Sequence, residues 1–181
     1  NINRKEHMSK RIYLRALELE DYKVSIKWRQ DNSIWKMLGG TKYFVSSEYE
    51  KKWVADAVFN SKDIKLAVCL ISTGEYIGNV YLTNINMINR TASSHILIGN
   101  KNYWGKGYAS EALKELLEFG FYERGLRRVQ ALVLEENIAS IKMHTKCGYV
   151  REGLLRESVF KDGEFKNQVL MSVLERDFKY E

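Results

Sequence analysis

The residues that speak most directly of chemistry in this sequence are two glycines separated by a single residue. They lie in Trp104-Gly105-Lys106-Gly107-Tyr108-Ala109, between the strand-like run Ile96-Leu97-Ile98 and a long helical pattern. Glycines at a helix start let the backbone approach a ligand closely. The first-turn amides of a helix lack partners, and the helix dipole adds partial positive charge there. Such a loop suits a pyrophosphate. It is not a Walker loop, because the Gly-x4-Gly-Lys-Ser/Thr spacing is missing, and it lacks the third glycine of a dinucleotide fingerprint. On spacing alone it reads equally as an anion cradle or as a tight turn whose glycines serve geometry.

A second group stands downstream: Asn137-Ile138-Ala139-Ser140, then His144, then Gly148-Tyr149. The two groups together resemble the signatures of the GNAT acetyltransferase superfamily, in particular its RimJ/RimL-like branch; spermidine N-acetyltransferases are similar. The first matches the family's pyrophosphate loop, the second its later helix, Asn-x-x-Ala/Ser-x-x-x-Tyr-x-x-x-Gly-Phe. The resemblance runs from Met8 to about Lys179. It implies an α/β fold: a mixed, mostly antiparallel sheet, helices on both faces, and a splayed central parallel strand pair.

It also implies an acetyl-CoA-dependent transfer to an amine by direct attack. Ile96, Leu97 and Ile98 would bond the pantetheine arm through their backbone. The amides of Trp104, Gly105, Lys106, Gly107, Tyr108 and Ala109 would hold the pyrophosphate. Asn137 and Ser140 would touch the pantetheine or phosphoadenosine side, Asn137 also capping its helix with its amide left free. The attacking amine must lose a proton, since an ammonium has a pKa near 10.4. Amide donors near Leu97 would serve the oxyanion. Three departures from the pattern stand out. Asn102 opens the loop where Gln, Arg or Glu is usual. His144 occupies the place of a tyrosine proton donor, where its neutral ring would donate a hydrogen bond; helix packing is the rival reading. Ser94 occupies the place of a glutamate that acts as base, so a water relay or a partly deprotonated acceptor is expected. His144 and Ser94 are the candidate catalytic positions. Their identities also favour the rival from another class, a non-catalytic CoA-binding sensor or scaffold. His95 reads as structural. Trp28, Arg29 and Trp35 fall in the region that walls the acceptor in the family, with core packing the alternative for Trp28. Glu152 and Glu157 read as solvated strand charges rather than amine anchors.

The elements that must position these residues follow from periodicity. Arg11–Ala16 alternates as a strand, and Leu19–Arg29 reads as a helix. Ser47 and Glu50 form a capping box for a helix to about Asn60. Lys65–Ser72 and Tyr76–Thr83 read as a hairpin about Thr73-Gly74-Glu75, Asn84–Thr91 as a polar loop, Ser93–Ile98 as a strand. Ala109, Ala112, Leu113, Leu116, Leu117, Gly120 and Phe121 stripe one helix face, ended by Gly125. Arg128–Leu134 is a buried strand, and Asn137 opens a helix to about Cys147. Asp162-Gly163 joins Tyr149–Phe160 to Phe165–Leu174, the strongest short hairpin signal.

At 181 residues, 45% hydrophobic and 29% charged, the sequence fits one soluble domain, assigned to residues 8–181. Asn1–His7 reads as a vector remnant. No apolar run is long enough to span a bilayer, and no secretory signal is evident. Cys69 and Cys147 read as buried free thiols of a cytoplasmic protein, without a neighbouring base to make either a nucleophile. Two cysteines and three histidines with no close pairing give no metal site. The net charge of +6 suits anionic ligands, but the basic residues are interleaved with acidic ones, so neither nucleic acid nor membrane is an expected partner. The acceptor is left open among a protein N-terminus, a polyamine and a small amine such as an amino sugar; the charge argues mildly against a polyamine. A monomer or homodimer is expected.

Overall fold

Hairpin signals and one amphipathic helix fix most of the architecture. The computed structural model describes residues 10–40, 44–60 and 62–179; the segment read as a vector remnant lies outside them. In chain order the elements are β1 (Ile12–Ala16), α1 (Tyr22–Arg29), α2 (Asn32–Lys36), α3 (Ser47–Phe59), β2 (Ile64–Leu70), β3 (Tyr76–Asn86), β4 (Thr91–Ile98), α4 (Tyr108–Glu118), β5 (Arg128–Leu134), α5 (Ile138–Lys146), β6 (Val150–Lys161) and β7 (Glu164–Leu174). The strands form one sheet in the order β1-β2-β3-β4-β5-β7-β6. Every neighbouring pair is antiparallel except β4 and β5.

Helices cover both faces. The α4 stripe of Ala112, Leu113, Leu116 and Leu117 is fully buried against Val80, Leu82, Ala92 and Val129. On the other face Trp28 and Ile34 pack on Ala67, Cys69 and Tyr76. The closing hairpin turns at Asp162 and Gly163, with φ of 53° and 82°. Two consecutive positive values match the strand twist, which is why Asp-Gly marks this turn.

Four local expectations are corrected. Leu19–Asp21 is a 3-10 turn ahead of α1, because the Asp21 carboxylate turns back to accept from Glu18 N–H and Arg15. The five-residue α2, capped by Asp31 accepting from Ser33 N–H at 2.9 Å, is too short to show a period. The cap of α3 is Ser46, which accepts from Tyr49 N–H at 3.1 Å; Glu50 is freed from a capping box and buried elsewhere. β3 runs on to Asn86, shortening the polar loop.

Helix α1 docks where β4 ends. A Cβ on Gly99 would lie 1.9 Å from the Trp28 indole, whose ring also stands 4.8 Å from Tyr76. Gly99→Ala must displace Trp28 and should cost about 1–3 kcal/mol. Gly153→Ala, with open space around its Cβ, should stay within about 0.5 kcal/mol of the parent. Urea melts followed by tryptophan fluorescence compare the two.

Candidate active site

Strands β4 and β5 are in register at only three pairs, Thr91↔Arg128, Ala92↔Val129 and Ser93↔Gln130. Beyond them each strand follows its outer neighbour. β4 stays on β3 as far as Ile98↔Gly78, and β5 stays on β7 as far as Leu134↔Gln168. A gap opens between them. Gly99 N–H donates to Ile77 carbonyl and Arg128 N–H to Arg90 carbonyl, so odd residues of β4 bond β3 and even ones face β5. Ile96 and Ile98 therefore turn backbone groups into the gap. Leu97 spends its own on β3 opposite Asn79. The Ile98 carbonyl accepts from Trp104 Nε1 at 2.6 Å, tying the glycine loop to the strand end.

The gap is the waist of a cleft of about 2380 Å³ that passes through the sheet. Ile96, Ile98, Ala109 and Ser110 line it on the α4 side; Arg29, Trp53, Asn79 and Tyr81 line it on the α1–α3 side. At its rim Gly105 and Gly107 have φ of 71° and 87°. A Cβ at Gly105 would meet nothing within 4 Å, and one at Gly107 only the Arg11 guanidinium, at 3.3 Å. Backbone conformation, not packing, demands these glycines. Gly107 caps α4 without a side-chain acceptor, so the Tyr108, Ala109 and Ser110 amides open onto that space. Arg11 staples the loop: it donates to Lys106 carbonyl at 3.0 Å and to Glu111 at 3.0 Å, and lies over the Tyr108 ring. Nothing in the local sequence pattern marks Arg11, which stands some hundred residues away.

Both ends of the Asn137 side chain are engaged. Its Oδ1 accepts from Ser140 N–H at 3.1 Å and its Nδ2 donates to Met37 carbonyl at 2.9 Å. The amide expected to be free instead fastens α5 to the segment after α2. His144 is buried, edge-on to Tyr149 at 4.9 Å between centroids. Its Nδ1 lies 2.8 Å from Ser140 carbonyl. A carbonyl only accepts, so Nδ1 holds the proton and Nε2 of the neutral ring carries a lone pair. Burial lowers the His144 pKa below 6.5, which favours that neutral form. The ring is thus a proton acceptor at Nε2, the reverse of the donor expected from its position.

Ser94 sits at the fork itself. Its hydroxyl donates to Gln130 carbonyl at 3.3 Å and accepts from Tyr149 hydroxyl at 2.6 Å. Tyr149, Ser94 and Gln130 form one chain of donors ending on the last paired residue of β5. Burial raises the Tyr149 pKa, so it remains a phenol. His95 faces the other side of β4, bonded to Thr83 Oγ1 at 2.9 Å, with its pKa lowered by burial. Burial pushes the Cys147 thiol up to about 11 and raises Cys69 as well. Glu152 is held at about 2 by Arg128 and Ser172 and serves the sheet.

The α1–α3 wall of the cleft carries what sequence reasoning missed. Glu50, 1% exposed, accepts from Ser25 hydroxyl at 2.6 Å and from Arg29 Nε at 2.9 Å. Trp35 Nε1 donates to Arg29 carbonyl at 2.6 Å. Glu50 and Trp53 are three apart on α3, so the helical period was a usable sign that the carboxylate faces inward with the indole.

This arrangement has known counterparts. Residues 11–150 match the acetyltransferase (GNAT) domain family, and the chain belongs to it. It is an N-acetyltransferase. An uncharacterised N-acetyltransferase of Bacillus licheniformis, p20, is 30% identical over 94% of this chain and 96% of its own length. The spermidine N(1)-acetyltransferase of Escherichia coli K12 is 32% identical, over 58% of this chain and 56% of its own. Among solved structures, the Vibrio cholerae spermidine N-acetyltransferase in complex with CoA and spermine superposes with a TM-score of 0.85 at 25% identity, covering 92% of this chain and 97% of that one. A GNAT-family acetyltransferase from Bacillus anthracis gives 0.79 at 25% identity, over 92% and 96%. The mixed sheet with its parted parallel pair and two helical faces is the fold of that family. Among the described residues no helix is long and apolar enough to cross a membrane.

Ser94→Ala should destabilise more than Tyr149→Phe. The first leaves a buried phenol without its acceptor, at about 1–3 kcal/mol; the second leaves Ser94 still bonded to Gln130. Denaturant midpoints of the two variants and their double mutant test this, with Tyr149→Phe expected to relieve part of the Ser94→Ala loss.

Proposed function

We propose that the protein transfers an acetyl group from acetyl-CoA to a primary amine by direct attack, with no covalent enzyme intermediate, in the cytoplasm. The parted edge of β4, opening onto an uncapped helix N-terminus, carries this reading. The groups present fit acetyl-CoA. Ile96 and Ile98 offer backbone donors and acceptors along the gap, as an added strand would need. The uncapped amides that open α4 after Gly107, with positive dipole behind them, would receive a pyrophosphate. Bound there, acetyl-CoA supplies an acetyl group activated as a thioester.

The protein's own part is to orient and to move a proton. Gap-facing amides such as that of Ile96 supply the oxyanion donor expected near Leu97. His144 Nε2 accepts a proton from the attacking nitrogen and, as imidazolium, returns it to the departing sulfur. Ser140 carbonyl holds the Nδ1 proton throughout and stabilises the charged ring. Ser94 pins the vertex of the fork to Gln130 and positions Tyr149, on whose ring His144 rests. Neither cysteine takes part, both being held as thiols.

Two measurements check this. Gly107→Val forces a β-branched residue into φ of 87° and should abolish the thermal shift given by millimolar CoA, while the parent gains about 2.7 kcal/mol at a hundredfold excess over Kd. A folded Gly107→Val variant with parental CoA affinity would make the loop purely structural. For His144, both imidazole and amine must be neutral. Log kcat/KM should therefore climb with pH at slope two below the His144 pKa, and at slope one between it and the amine's. Burial puts that break below pH 6.5. His144→Ala should lower kcat by about 10²–10⁴ and show slope one throughout, whereas a packing residue would leave the profile unbent. CoA binding without turnover of any amine would instead indicate a CoA-binding module.

A further inference from the structure

The acceptor wall of the cleft holds a cation that its own neighbours do not use up. The Arg29 side chain is 20% exposed and lines the cleft. Its Nε is spent on Glu50, and its carbon centre lies 5.3 Å from the ring centroids of both Trp35 and Trp53. Among the described residues no oxygen accepts from its two terminal nitrogens. Trp35, bonded to the Arg29 carbonyl, and Glu50, bonded to Ser25, fix the guanidinium in place. An arginine held by Nε and flanked by indoles keeps a rigid fork of N–H donors aimed outward, the geometry that receives two oxygens of one carboxylate.

A second cation stands on this wall. Lys65 lines the same wall, its ammonium 5.4 Å from the Trp53 centroid and 3.6 Å from Asp63. The carboxylate of this wall, Glu50, is 1% exposed with a donor on each oxygen. Among the described residues of this wall the carboxylates, Glu50 and Asp63, are already paired with Arg29 and Lys65, so a polycation's second ammonium would meet no unpaired carboxylate here. An acceptor that carries an anion of its own meets complementary charge.

We propose that the acceptor of this enzyme is an amine that also bears a carboxylate, an amino acid or a related small zwitterion, and that Arg29 receives the carboxylate while the amine reaches the gap between β4 and β5. This rests on the acetyltransferase reading above and adds the substrate class. Arg29 is then the specificity-determining residue of the wall, with Trp35, Trp53 and Glu50 as its positioning residues.

The test is a panel of matched acceptors with acetyl-CoA, read as CoA thiol release: glycine, β-alanine, 4-aminobutanoate and 6-aminohexanoate, each against its own primary amide, plus phosphoethanolamine and spermidine. The expected result is a kcat/KM at least tenfold higher for the best amino acid than for its amide, with spermidine below both. In Arg29→Gln that acid-to-amide ratio should fall to within about threefold of one. Because Arg29→Gln strands the buried Glu50, an Arg29→Gln/Glu50→Gln double variant provides a second protein in which the ratio is read. The wild-type panel decides on its own if neither variant folds. An acid-to-amide ratio of one or less, a spermidine rate above every amino acid, phosphoethanolamine preferred tenfold over all carboxylates, or no turnover of any acceptor by a CoA-binding protein each overturns the proposal while leaving CoA binding intact. Absence of any CoA-induced thermal shift overturns the acetyltransferase reading itself, and the proposal with it.

Discussion

The molecule depends on two neighbouring parallel strands that are each better held from outside than by one another. β4 and β5 share three registered pairs and then obey β3 and β7 respectively. Unpaired backbone groups inside a sheet are costly unless water or a ligand satisfies them. The fork is therefore kept by force from its edges, and by the Tyr149–Ser94–Gln130 chain of hydroxyls at its vertex. That chain shows why serine suits the vertex. A hydroxyl both donates and accepts, so it can pin β4 to β5 while seating a phenol from the segment after α5. A carboxylate there would bring a charge to a residue that is 4% exposed and next to a buried phenol.

Opening the sheet at its centre joins two differently built compartments. The α4 side is made of backbone: a helix start, two glycines in left-handed conformation, strand edges. Its polarity is fixed by the helix dipole and suits an anion. The α1–α3 side is made of side chains, Arg29, Glu50, Trp35, Trp53 and Lys65, whose polarity depends on how they pair. His144 stands on the α4 side with its Nδ1 committed, and burial without a nearby carboxylate keeps it neutral. The lone pair of His144 Nε2 and the Arg29 wall therefore lie on opposite sides of one gap.

Strands, hairpins and the long helix were legible because their signals are local. Arg128–Leu134 was read with its observed bounds, and Asp162-Gly163 is a turn that only positive φ permits. The glycine loop and α5 were legible as a pair, through family resemblance rather than spacing. What escaped depends on chain segments far apart. Arg11 reaches the loop, Asn137 reaches Met37, and Glu50 reaches Ser25 and Arg29 across turns that no period encodes. The tautomer of His144 escaped for a different reason. Position in a motif says where a ring stands, whereas the neighbouring Ser140 carbonyl decides which nitrogen keeps the proton.

The same division explains how the fold is retained while sequence drifts. Backbone amides do not depend on side-chain identity, so a cradle built from them survives substitution wherever φ is permitted. A wall built from side chains has no such protection. One exchange of an acid for a base changes which amine it admits by several kcal/mol of desolvation and repulsion. In this chain the buried acid of that wall is already neutralised, by an arginine of α1 that keeps its fork facing the cleft. On the proposed reading, the fold specifies the acyl donor, whereas the choice of acceptor rests on the few side chains that α1, α2 and α3 bring to the gap.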